Sequence, residues 1–419
     1  MSNLILISLS LFCLPSSGFL RNTPTKLNNQ RIETATSIGK DDSNGDKSEL
    51  LRDLDKSFEY EGRLPMRDNF RCGFASILGA PNMGKSTLLN ALLKEDLCIA
   101  TRRPQTTRHA ILGVLTTAEA QLCLIDTPGI IENPAYKLQE GMMEAVMTAF
   151  YDSDVLMVVT DLFSSPIPDD EIFQKVKKSR APIVVAINKI DLVGKANRNS
   201  DESEEEGRTY TVPEAVAKWR SLLPDALAII PVAASEGPEN EGVNLLRQLL
   251  LGGEDISAAI RKLGRPVPGM FQDGVQFISD DQAKSLLPPG PPLYEEDILT
   301  DRSERFFVSE LIRESIFETL KKELPYCCEV RIDEFKEPKE SEKKKVNRIK
   351  ATVYVERESQ KQIVIGRGGE QVKAVGVLAR DKIEKFLQEK VFLELFVKVN
   401  KDWRKNEDRL IEFGYMSKK

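Results

Sequence analysis

Short apolar runs alternate with longer segments of helical periodicity between residue 69 and about residue 250. This alternation is typical of an α/β fold with a mainly parallel, doubly wound sheet. A helix is predicted over 87–93, directly after the loop that leaves the first strand. The apolar runs predict six strands, over 74–78, 110–116, 121–125, 155–160, 183–187 and 228–232.

A second pattern begins near residue 298. Apolar side chains recur at helical spacing over 306–320 and again over 370–388, which predicts two amphipathic helices. Three shorter runs predict strands, over 327–335, 349–357 and 391–399. This part of the chain is therefore expected to form a separate α+β domain.

Two segments depart from both patterns. Residues 252–297 contain many prolines and little periodicity, which predicts a long linker or insertion. Residues 195–210 carry an acidic run and predict a disordered insertion in the first domain. The expected divisions of the chain are 1–68, 69–251, 252–297 and 298–419.

The first 40 residues have the composition of a targeting sequence. The apolar run from Leu4 to Leu14 is too short to span a bilayer as a mature helix. A basic, hydroxylated and acid-poor stretch follows over 20–40, and Phe19 stands just after the apolar run. This order resembles the bipartite presequence of algae with complex plastids, and a mitochondrial presequence is the alternative. We therefore expect residues 1–68 to be presequence and linker, with a plastid favoured over a mitochondrion.

Charge is distributed unevenly along the chain. Residues 301–419 contain 28 Lys+Arg and 23 Asp+Glu, a net charge of +5. Since the whole chain has a net charge of −6, residues 1–300 carry −11. This asymmetry suggests that the two parts have different partners. The six cysteines lack a C-x-x-C spacing, which indicates reduced thiols, and the single histidine, His109, excludes a His-rich metal site.

Residues 79–86 have the spacing G-x-x-x-x-G-K-S, which is that of a phosphate-binding loop. Glycines allow successive backbone N–H groups to point at one anion, and the following helix adds its N-terminus. Lys85 supplies a positive charge, and the Ser86 hydroxyl is a ligand for Mg²⁺. The candidate phosphate-binding residues are Gly79, Asn82, Met83, Gly84, Lys85, Ser86 and Thr87.

Two further motifs follow in the order that a GTPase requires. Asp126 ends a predicted strand and begins D-T-P-G, so its carboxylate can hold Mg²⁺ through water while the Gly129 N–H meets a γ-phosphate. Asn188, Lys189 and Asp191 belong to N-K-I-D, whose last carboxylate accepts from the two donors that guanine has and adenine lacks. Together with the loop, these motifs predict a guanine-nucleotide site.

A threonine before the second strand is expected to complete the Mg²⁺ shell when the γ-phosphate is present. Thr107 is favoured, and Thr106 is the alternative. Ile130 occupies the position where many GTPases place a glutamine that orients water, and an aliphatic side chain cannot do this. In GTPases with this loop sequence the residue at Asn82 helps to hold K⁺, which can supply positive charge in the transition state. The alternative is that Asn82 only supports the turn of the loop. The candidate catalytic residues are therefore Asn82, Lys85, Thr107 and Gly129.

The second domain contains G-x-x-G at Gly366, Arg367, Gly368 and Gly369, which is the backbone clamp of a KH RNA-binding module. We expect a strand before this loop, because Ile363 to Ile365 are apolar, and a helix after it. Residues 343–380 contain ten basic and three acidic residues, a net of +7. Lys361 and Lys373 are the additional RNA-binding candidates, and the expected ligand is single-stranded RNA.

These motifs together resemble the Era family of GTPases. The resemblance covers about 70–298 and 298–416 and rests on the following segments: 81–90, 105–109, 126–129, 188–191, 300–306, 323–326 and 366–369. It implies a P-loop GTPase domain followed by a type II KH domain, with GTP or GDP and Mg²⁺ bound. It also implies a monomeric assembly factor for the small ribosomal subunit that binds near the 3′ end of its rRNA, and bacterial relatives also associate with membranes.

Three features depart from the family pattern. Ala233-Ala234-Ser235 stands where the family usually has Ser-Ala, so the Ala234 N–H can meet the guanine oxygen without its usual side-chain support. The linker is longer than in bacterial relatives, and the presequence moves the expected target to an organellar ribosome. Slow GTP hydrolysis coupled to RNA binding is the favoured interpretation. The alternatives are an RNA scaffold that binds GTP with negligible turnover and a GTPase that acts on another RNA, such as tRNA.

Overall fold

The structure is a computed structural model that describes residues 69–99, 101, 103–164, 171–193, 211–252, 270, 286–338 and 345–417. The predicted presequence, the acidic insertion and most of the predicted linker lie outside the described residues. Within these residues, no helix is both long and apolar enough to cross a lipid bilayer.

The first domain is built on six strands, and the prediction of an α/β fold is confirmed. They are β1 (Arg71–Leu78), β2 (Ile111–Thr116), β3 (Ala120–Asp126), β4 (Val155–Asp161), β5 (Ile183–Asn188) and β6 (Ala228–Pro231). Their order in the sheet is β2-β3-β1-β4-β5-β6, and only the β2–β3 pair is antiparallel. Strands β4 and β5 are buried along their whole length, which explains why their sequences are continuous apolar runs.

Among the described residues, four helices lie along the chain between these strands, and a fifth follows β6. They are α1 (Lys85–Leu93), α2 (Lys137–Asp152), α3 (Glu171–Lys177), α4 (Val212–Leu222) and α5 (Glu241–Leu251). Because β1, β3, β4, β5 and β6 are parallel, their carboxyl ends meet at one edge of the sheet, where ligands bind in such folds. The three predicted nucleotide motifs follow β1, β3 and β5, so the topology places them together.

The described end of the predicted linker packs along the sheet. The Cys72 N–H donates to Pro288 O at 3.0 Å, and the Gln121 side chain bonds to the backbone of Leu293 and Tyr294 at 2.7 to 2.9 Å. Farther along, Val114 N–H donates to the carbonyl of Leu299 at 2.7 Å. Residues 288–299 therefore follow the first domain closely before the second domain begins.

The second domain has the order α-β-β-α-α-β when the short helix after its first helix is left out. Its elements are α6 (Glu304–Thr319), the short helix α7 (Leu324–Cys327), β7 (Glu329–Lys336), β8 (Val346–Val355), α8 (Glu358–Ile365), α9 (Glu370–Leu387) and β9 (Lys390–Val399). Strand β8 is central, antiparallel to β7 and parallel to β9. Helices α6 and α9 pack on each other and on one face of this sheet, around an apolar core. The predicted KH fold is confirmed.

The predicted strand before the G-x-x-G loop is wrong, because Glu358–Ile365 is helical. Of its three apolar residues, only Val364 is buried, whereas Ile363 is 54% exposed. Helix α8 is fixed at its start by Gln360, whose side-chain oxygen accepts from the backbone N–H groups of Glu356 and Arg357 at 3.0 Å. The loop therefore joins two helices rather than a strand and a helix.

A C-terminal segment, Trp403–Met416, returns to the first domain. It contains a single turn and α10 (Glu407–Glu412). Trp403 and Tyr415 form a small apolar cluster with Leu138 and Met142 on helix α2. The last part of the chain thus contacts the helix that follows the D-T-P-G motif.

Candidate nucleotide and RNA sites

The phosphate loop connects β1 to α1, and the helix begins at Lys85. The buried Lys85 ammonium donates to Gly79 O at 3.1 Å and to Ala80 O at 3.0 Å. Burial lowers the pKa of Lys85 to about 8. A phosphate at the N-terminus of α1 would supply the opposite charge that this buried lysine needs, so the loop fits the predicted ligand.

The three side chains predicted to surround Mg²⁺ lie together. Ser86 Oγ donates to Asp126 Oδ2 at 2.6 Å and lies 2.9 Å from Thr107 Oγ1. The other carboxylate oxygen, Asp126 Oδ1, is buried without a hydrogen-bond partner among the described residues. Burial raises the pKa of Asp126 to about 6. A hard cation between these oxygens would satisfy the unpaired one and favour the ionised carboxylate, so the donor set fits Mg²⁺.

The structure distinguishes between the two candidate threonines. The Thr106 hydroxyl donates to Arg103 O at 2.8 Å and lies 2.6 Å from Thr101 Oγ1. Only Thr107 places its hydroxyl beside Ser86. Thr107 is therefore the better candidate for the Mg²⁺ shell, as the sequence favoured.

Gly129 lies directly against the phosphate loop. A Cβ atom at this position would be 2.6 Å from Pro81 Cα, a distance at which something must shift. The next residue, Ile130, is buried, and its N–H donates to Gly79 O at 3.0 Å. The D-T-P-G segment thus approaches the loop through backbone contacts that leave no space for a side chain at Gly129.

The N-K-I-D motif is tied to the phosphate loop. Asn188 Nδ2 donates to Met83 O at 3.0 Å, and Lys189 Nζ donates to Asn82 O at 2.7 Å. Lys189 also forms an ion pair with Asp161 at 2.7 Å, at the carboxyl end of β4. These bonds hold the two loops as one surface.

The remaining base-site candidates lie around this surface. Asp191 is exposed in the short turn that follows Lys189, with its carboxylate accessible to a base. The Ala234 N–H donates to Asn188 Oδ1 at 3.0 Å, so contact with a guanine oxygen would require this bond to be shared or exchanged. The Ala233 N–H donates to Asn240 Oδ1 at 3.2 Å and supports the same turn.

Most of the predicted phosphate-site residues line one cleft of 230 Å³. It is bounded by Asn82, Lys85 and Ser86 from the loop, and by Thr107 and Gly129 from the two segments opposite. Thr87 also lies on its wall. Asn82 is exposed and has a φ of 65°, a left-handed conformation that asparagine tolerates better than most residues.

Arg108, the residue after Thr107, is inserted into the second domain. Its guanidinium forms a buried ion pair with Glu329 at 2.9 Å. It also donates to the carbonyls of Cys328 at 2.9 Å and Tyr326 at 3.0 Å. Burial raises the pKa of Glu329, and Arg108 is the group that most opposes this effect. A side chain adjacent to the Mg²⁺ site is therefore fixed at the start of β7.

The C-terminal segment closes over this ion pair. Tyr415 Oη donates to Glu329 Oε2 at 2.6 Å, and the Tyr415 ring stacks on His109 with centroids 4.2 Å apart. Trp403 lies beneath Arg108, with the guanidinium carbon 5.9 Å from the ring centroid. Burial lowers the pKa of His109 to about 3, so this imidazole is neutral at physiological pH.

The G-x-x-G loop lies between α8 and α9. Gly366, Gly368 and Gly369 have φ values of 76°, 60° and 83°, which favour glycine. Cβ atoms at Gly368 and Gly369 would meet nothing within 4 Å, so the loop presents its backbone to open space. Arg367 is exposed at its tip. The loop stands at the N-terminus of α9, which favours an anion.

The two lysines predicted to assist this loop lie on its flanking helices. Lys373 is exposed on α9, in a shallow groove that also contains Val377. Lys361 is half-buried on α8 and lies 3.4 Å from Glu358. Glu370 lies one turn before Lys373 and lines the same groove, and the structure shows no ion pair between these two described residues.

Sequence reasoning missed the residues that connect the two domains. Arg108 lies within the segment 105–109 that resembles the family, but its partner Glu329 carries no local signal, and neither does Tyr415. The same is true of Asp161, which holds Lys189 from a neighbouring strand. A run of three polar residues before β2 is the only sequence feature that marks Arg108.

Comparison with known families agrees with this geometry. Residues 74–189 match the family described as 50S ribosome-binding GTPase, and residues 323–404 match the KH domain family. The chain is 35% identical over 348 residues to GTPase Era of Halothermothrix orenii, an alignment that covers 83% of this chain and 99% of the relative. The chain belongs to the Era GTPase family.

Other Era proteins match the same share of this chain. A chloroplastic Era-like GTPase of Oryza sativa is 34% identical over 353 residues, covering 83% of this chain and 70% of the relative. Two solved Era structures each cover 83% of this chain and 99% of their own. One is Aquifex aeolicus Era bound to GDP and AlF₄⁻, with a TM-score of 0.63 and 29% identity. The other is Era with MgGDPNP and nucleotides 1506–1542 of 16S ribosomal RNA, with a TM-score of 0.64 and 30% identity.

Membership of the Era family confirms the enzyme class predicted from the motifs. The chain is a GTPase, and GTP or GDP with Mg²⁺ are the ligands of its first domain. Ser86, Thr107 and Asp126 would hold the ion, and Lys85 with the N-terminus of α1 would hold the phosphates. The chemistry that the ion supplies there is neutralisation of charge on the phosphates.

Proposed function

We propose that this Era-family GTPase binds the 3′ end of small-subunit rRNA during ribosome assembly in an organelle, and that it hydrolyses GTP slowly. The observation that carries the proposal is the buried Arg108–Glu329 ion pair. It joins the segment that carries Thr107 to the KH domain, so a change around the γ-phosphate has a direct route to the RNA-binding domain.

Nucleotide state would control RNA binding through this route. When GTP and Mg²⁺ are present, Thr107 is held beside Ser86, and Arg108 is held in the KH domain. Loss of the γ-phosphate removes the ligand that holds Thr107, and the segment that includes Arg108 is then free to rearrange. A deeply buried ion pair is stable only while its two charges keep their relative position. The Arg108–Glu329 pair can therefore act as an element with two states, formed in one and broken in the other.

Slow hydrolysis and a role for K⁺ are supported by the residues around the phosphates. Ile130 provides no group to orient water, and it is buried against the loop. Asn82 is exposed at the mouth of the cleft, where a monovalent cation would reach both its side chain and a phosphate. K⁺ would then supply the positive charge that an arginine provides in other GTPases.

The organellar location is supported by the N-terminal composition and by the chloroplastic relative from rice. A plastid is favoured over a mitochondrion. A monomeric state and a peripheral association with membranes, both implied by the resemblance to bacterial Era, are further parts of this proposal.

Ultraviolet crosslinking of the tagged chain in cells, followed by sequencing of the bound RNA, tests the target and the compartment together. We expect the 3′ end of plastid small-subunit rRNA. Recovery of mitochondrial rRNA would correct the location, and recovery of tRNA would refute the ribosomal target.

Single-turnover GTP hydrolysis, measured with and without that rRNA fragment, tests the enzymatic part. We expect slow turnover. Binding of GTP without measurable turnover under either condition would instead favour an RNA scaffold that uses GTP only as a ligand.

A further inference from the structure

The KH sheet has an open face on the side opposite its helices. Phe392 and Phe396 point outward from β9 on this face and are 55% and 47% exposed. Their neighbours Val391 and Leu393 point to the helix side and belong to the core. Side chains four residues apart on one strand lie about 13 Å apart. Two exposed aromatic rings therefore stand in line on one edge of the sheet.

Two exposed cations lie near these rings. Arg348 on β8 is directly opposite Phe392, and Lys398 lies two positions beyond Phe396 on the same face. Both cations are exposed, and neither forms an ion pair with any residue that the structure describes. The acidic Glu394, between the two rings, lies 3.6 Å from Lys350. A second carboxylate, that of Asp333, accepts from the Thr352 hydroxyl opposite Phe396 at 2.6 Å. The two exposed cations, Arg348 and Lys398, are the groups on this face that suit an anionic partner.

The aromatic pair is continuous with the G-x-x-G side of the domain. Strand β9 is an edge strand, and helices α8 and α9 pack against its other face. Two exposed apolar residues, Ile363 on α8 and Val377 on α9, lie on that helical side. No other described strand pairs with the free edge of β9, so an RNA chain bound at the loop would have to pass over this edge to reach Phe392 and Phe396. The Tyr354 end of the open face is already covered by Phe413, with centroids 5.6 Å apart.

We propose that this face, defined by Arg348, Phe392, Phe396 and Lys398, binds single-stranded RNA that flanks the segment held by the G-x-x-G loop. Exposed aromatic rings on a sheet stack on bases, and nearby cations bind the backbone. A KH loop clamps only about four nucleotides, so a longer RNA needs a second surface. The inference rests on the proposed function, because it assumes that the KH domain binds RNA.

The test uses the full chain and two labelled RNA probes that end in the 3′-terminal sequence of plastid small-subunit rRNA. One is about 10 and the other about 40 nucleotides long, since the KH loop needs only about four. The variant Phe392→Leu/Phe396→Leu keeps apolar area and removes the rings. Tyr151→Ala is the matched control, because Tyr151 is 67% exposed on the first domain. Equal thermal midpoints would establish that the variants remain folded.

We expect the double leucine variant to bind the long probe about tenfold or more weakly and the short probe within about twofold of the original chain. Arg348→Gln should reduce the slope of log affinity against log salt for the long probe by about one. Equal long-probe affinities in the double variant and in Tyr151→Ala would overturn the proposal while leaving the loop's role intact. A photo-crosslinker at position 392 that captures a ribosomal protein instead of RNA would also overturn it. If the unaltered chain binds neither probe, the proposed function fails as well.

Discussion

The buried ion pair between Arg108 and Glu329 offers the most direct test of how the two domains are coupled. Replacing Arg108 by alanine removes the cation from a site that is only 4% exposed. Among the described residues, Glu329 would then keep one hydrogen-bonded side chain, the Tyr415 hydroxyl. The carbonyls of Tyr326 and Cys328 would lose the Arg108 donor. The substitution leaves Thr107, the adjacent candidate ligand of Mg²⁺, unchanged.

The expected cost follows from the depth of burial. Removing one partner of a buried ion pair destabilises a protein by about 3–5 kcal/mol, because the other charge is left without compensation. Glu329 can escape part of this cost by protonation, since burial already raises its pKa. The companion variant Glu329→Gln should be destabilising for the same reason. The double variant should cost less than the sum of the two single ones, because the uncompensated charge is gone.

The original chain, the two single variants and the double variant form a double-mutant cycle. Urea unfolding of these four proteins measures the free energy of unfolding of each. The matched control is Lys385→Ala, whose ion pair with Asp381 has the similar length of 2.8 Å but side chains that are 75% and 61% exposed. Its expected cost is below about 1 kcal/mol. In parallel, RNA affinity of the Arg108→Ala protein should no longer differ between GDP and a GTP analogue. A cost no larger than that of Lys385→Ala, with nucleotide-dependent RNA binding preserved, would refute this account of the coupling.

Three further predictions concern the nucleotide site and its surroundings. Replacement of K⁺ by Na⁺ should slow GTP hydrolysis several-fold if Asn82 holds the cation, and equal rates in the two salts would contradict this role. Gly129→Ala should reduce the hydrolysis rate about a hundredfold, because the added Cβ would meet Pro81 Cα at 2.6 Å. The control is Gly290→Ala, since a Cβ at Gly290 meets nothing within 4 Å. The pKa of His109 is about 3 in the folded chain and 6.5 in the unfolded chain, because burial disfavours the charged imidazole. The free energy of unfolding should therefore be highest above pH 6.5. It should fall as the pH falls toward 3, by about 5 kcal/mol at most. Urea midpoints of His109→Phe should therefore depend less on pH across this range, and an unchanged pH dependence would exclude His109 as the cause.

The nucleotide site was predictable because its motifs are local and its topology is regular. Each motif follows a strand, and parallel strands bring their carboxyl ends to one edge, so the order of motifs along the chain implies their meeting. The contacts of Asn188 and Lys189 with the phosphate loop illustrate this result. The strands themselves were predicted because β4 and β5 are buried on both faces and leave continuous apolar runs.

The contacts between the domains could not be predicted in the same way. Arg108, Glu329 and Tyr415 come from three distant parts of the chain, and no spacing or periodicity relates them. A single arginine or glutamate is usually solvated, so burial of this pair depends on packing that the sequence does not display. The helix before the G-x-x-G loop was mistaken for a strand for a related reason. Its three consecutive β-branched residues favour a strand locally, but only Val364 faces the core.

The position of the C-terminal segment has a consequence for biosynthesis. Tyr415 and Trp403 supply contacts to His109 and to helix α2, yet they are among the last described residues to leave the ribosome that makes the chain. Until they emerge, the nascent first domain has all of its nucleotide motifs but lacks the surface that fixes the Thr107 and D-T-P-G segments. Leu138 and Met142 would remain exposed to solvent or to chaperones during that interval. The contacts that this segment makes with His109 and with helix α2 can therefore form only after the RNA-binding domain has been synthesised.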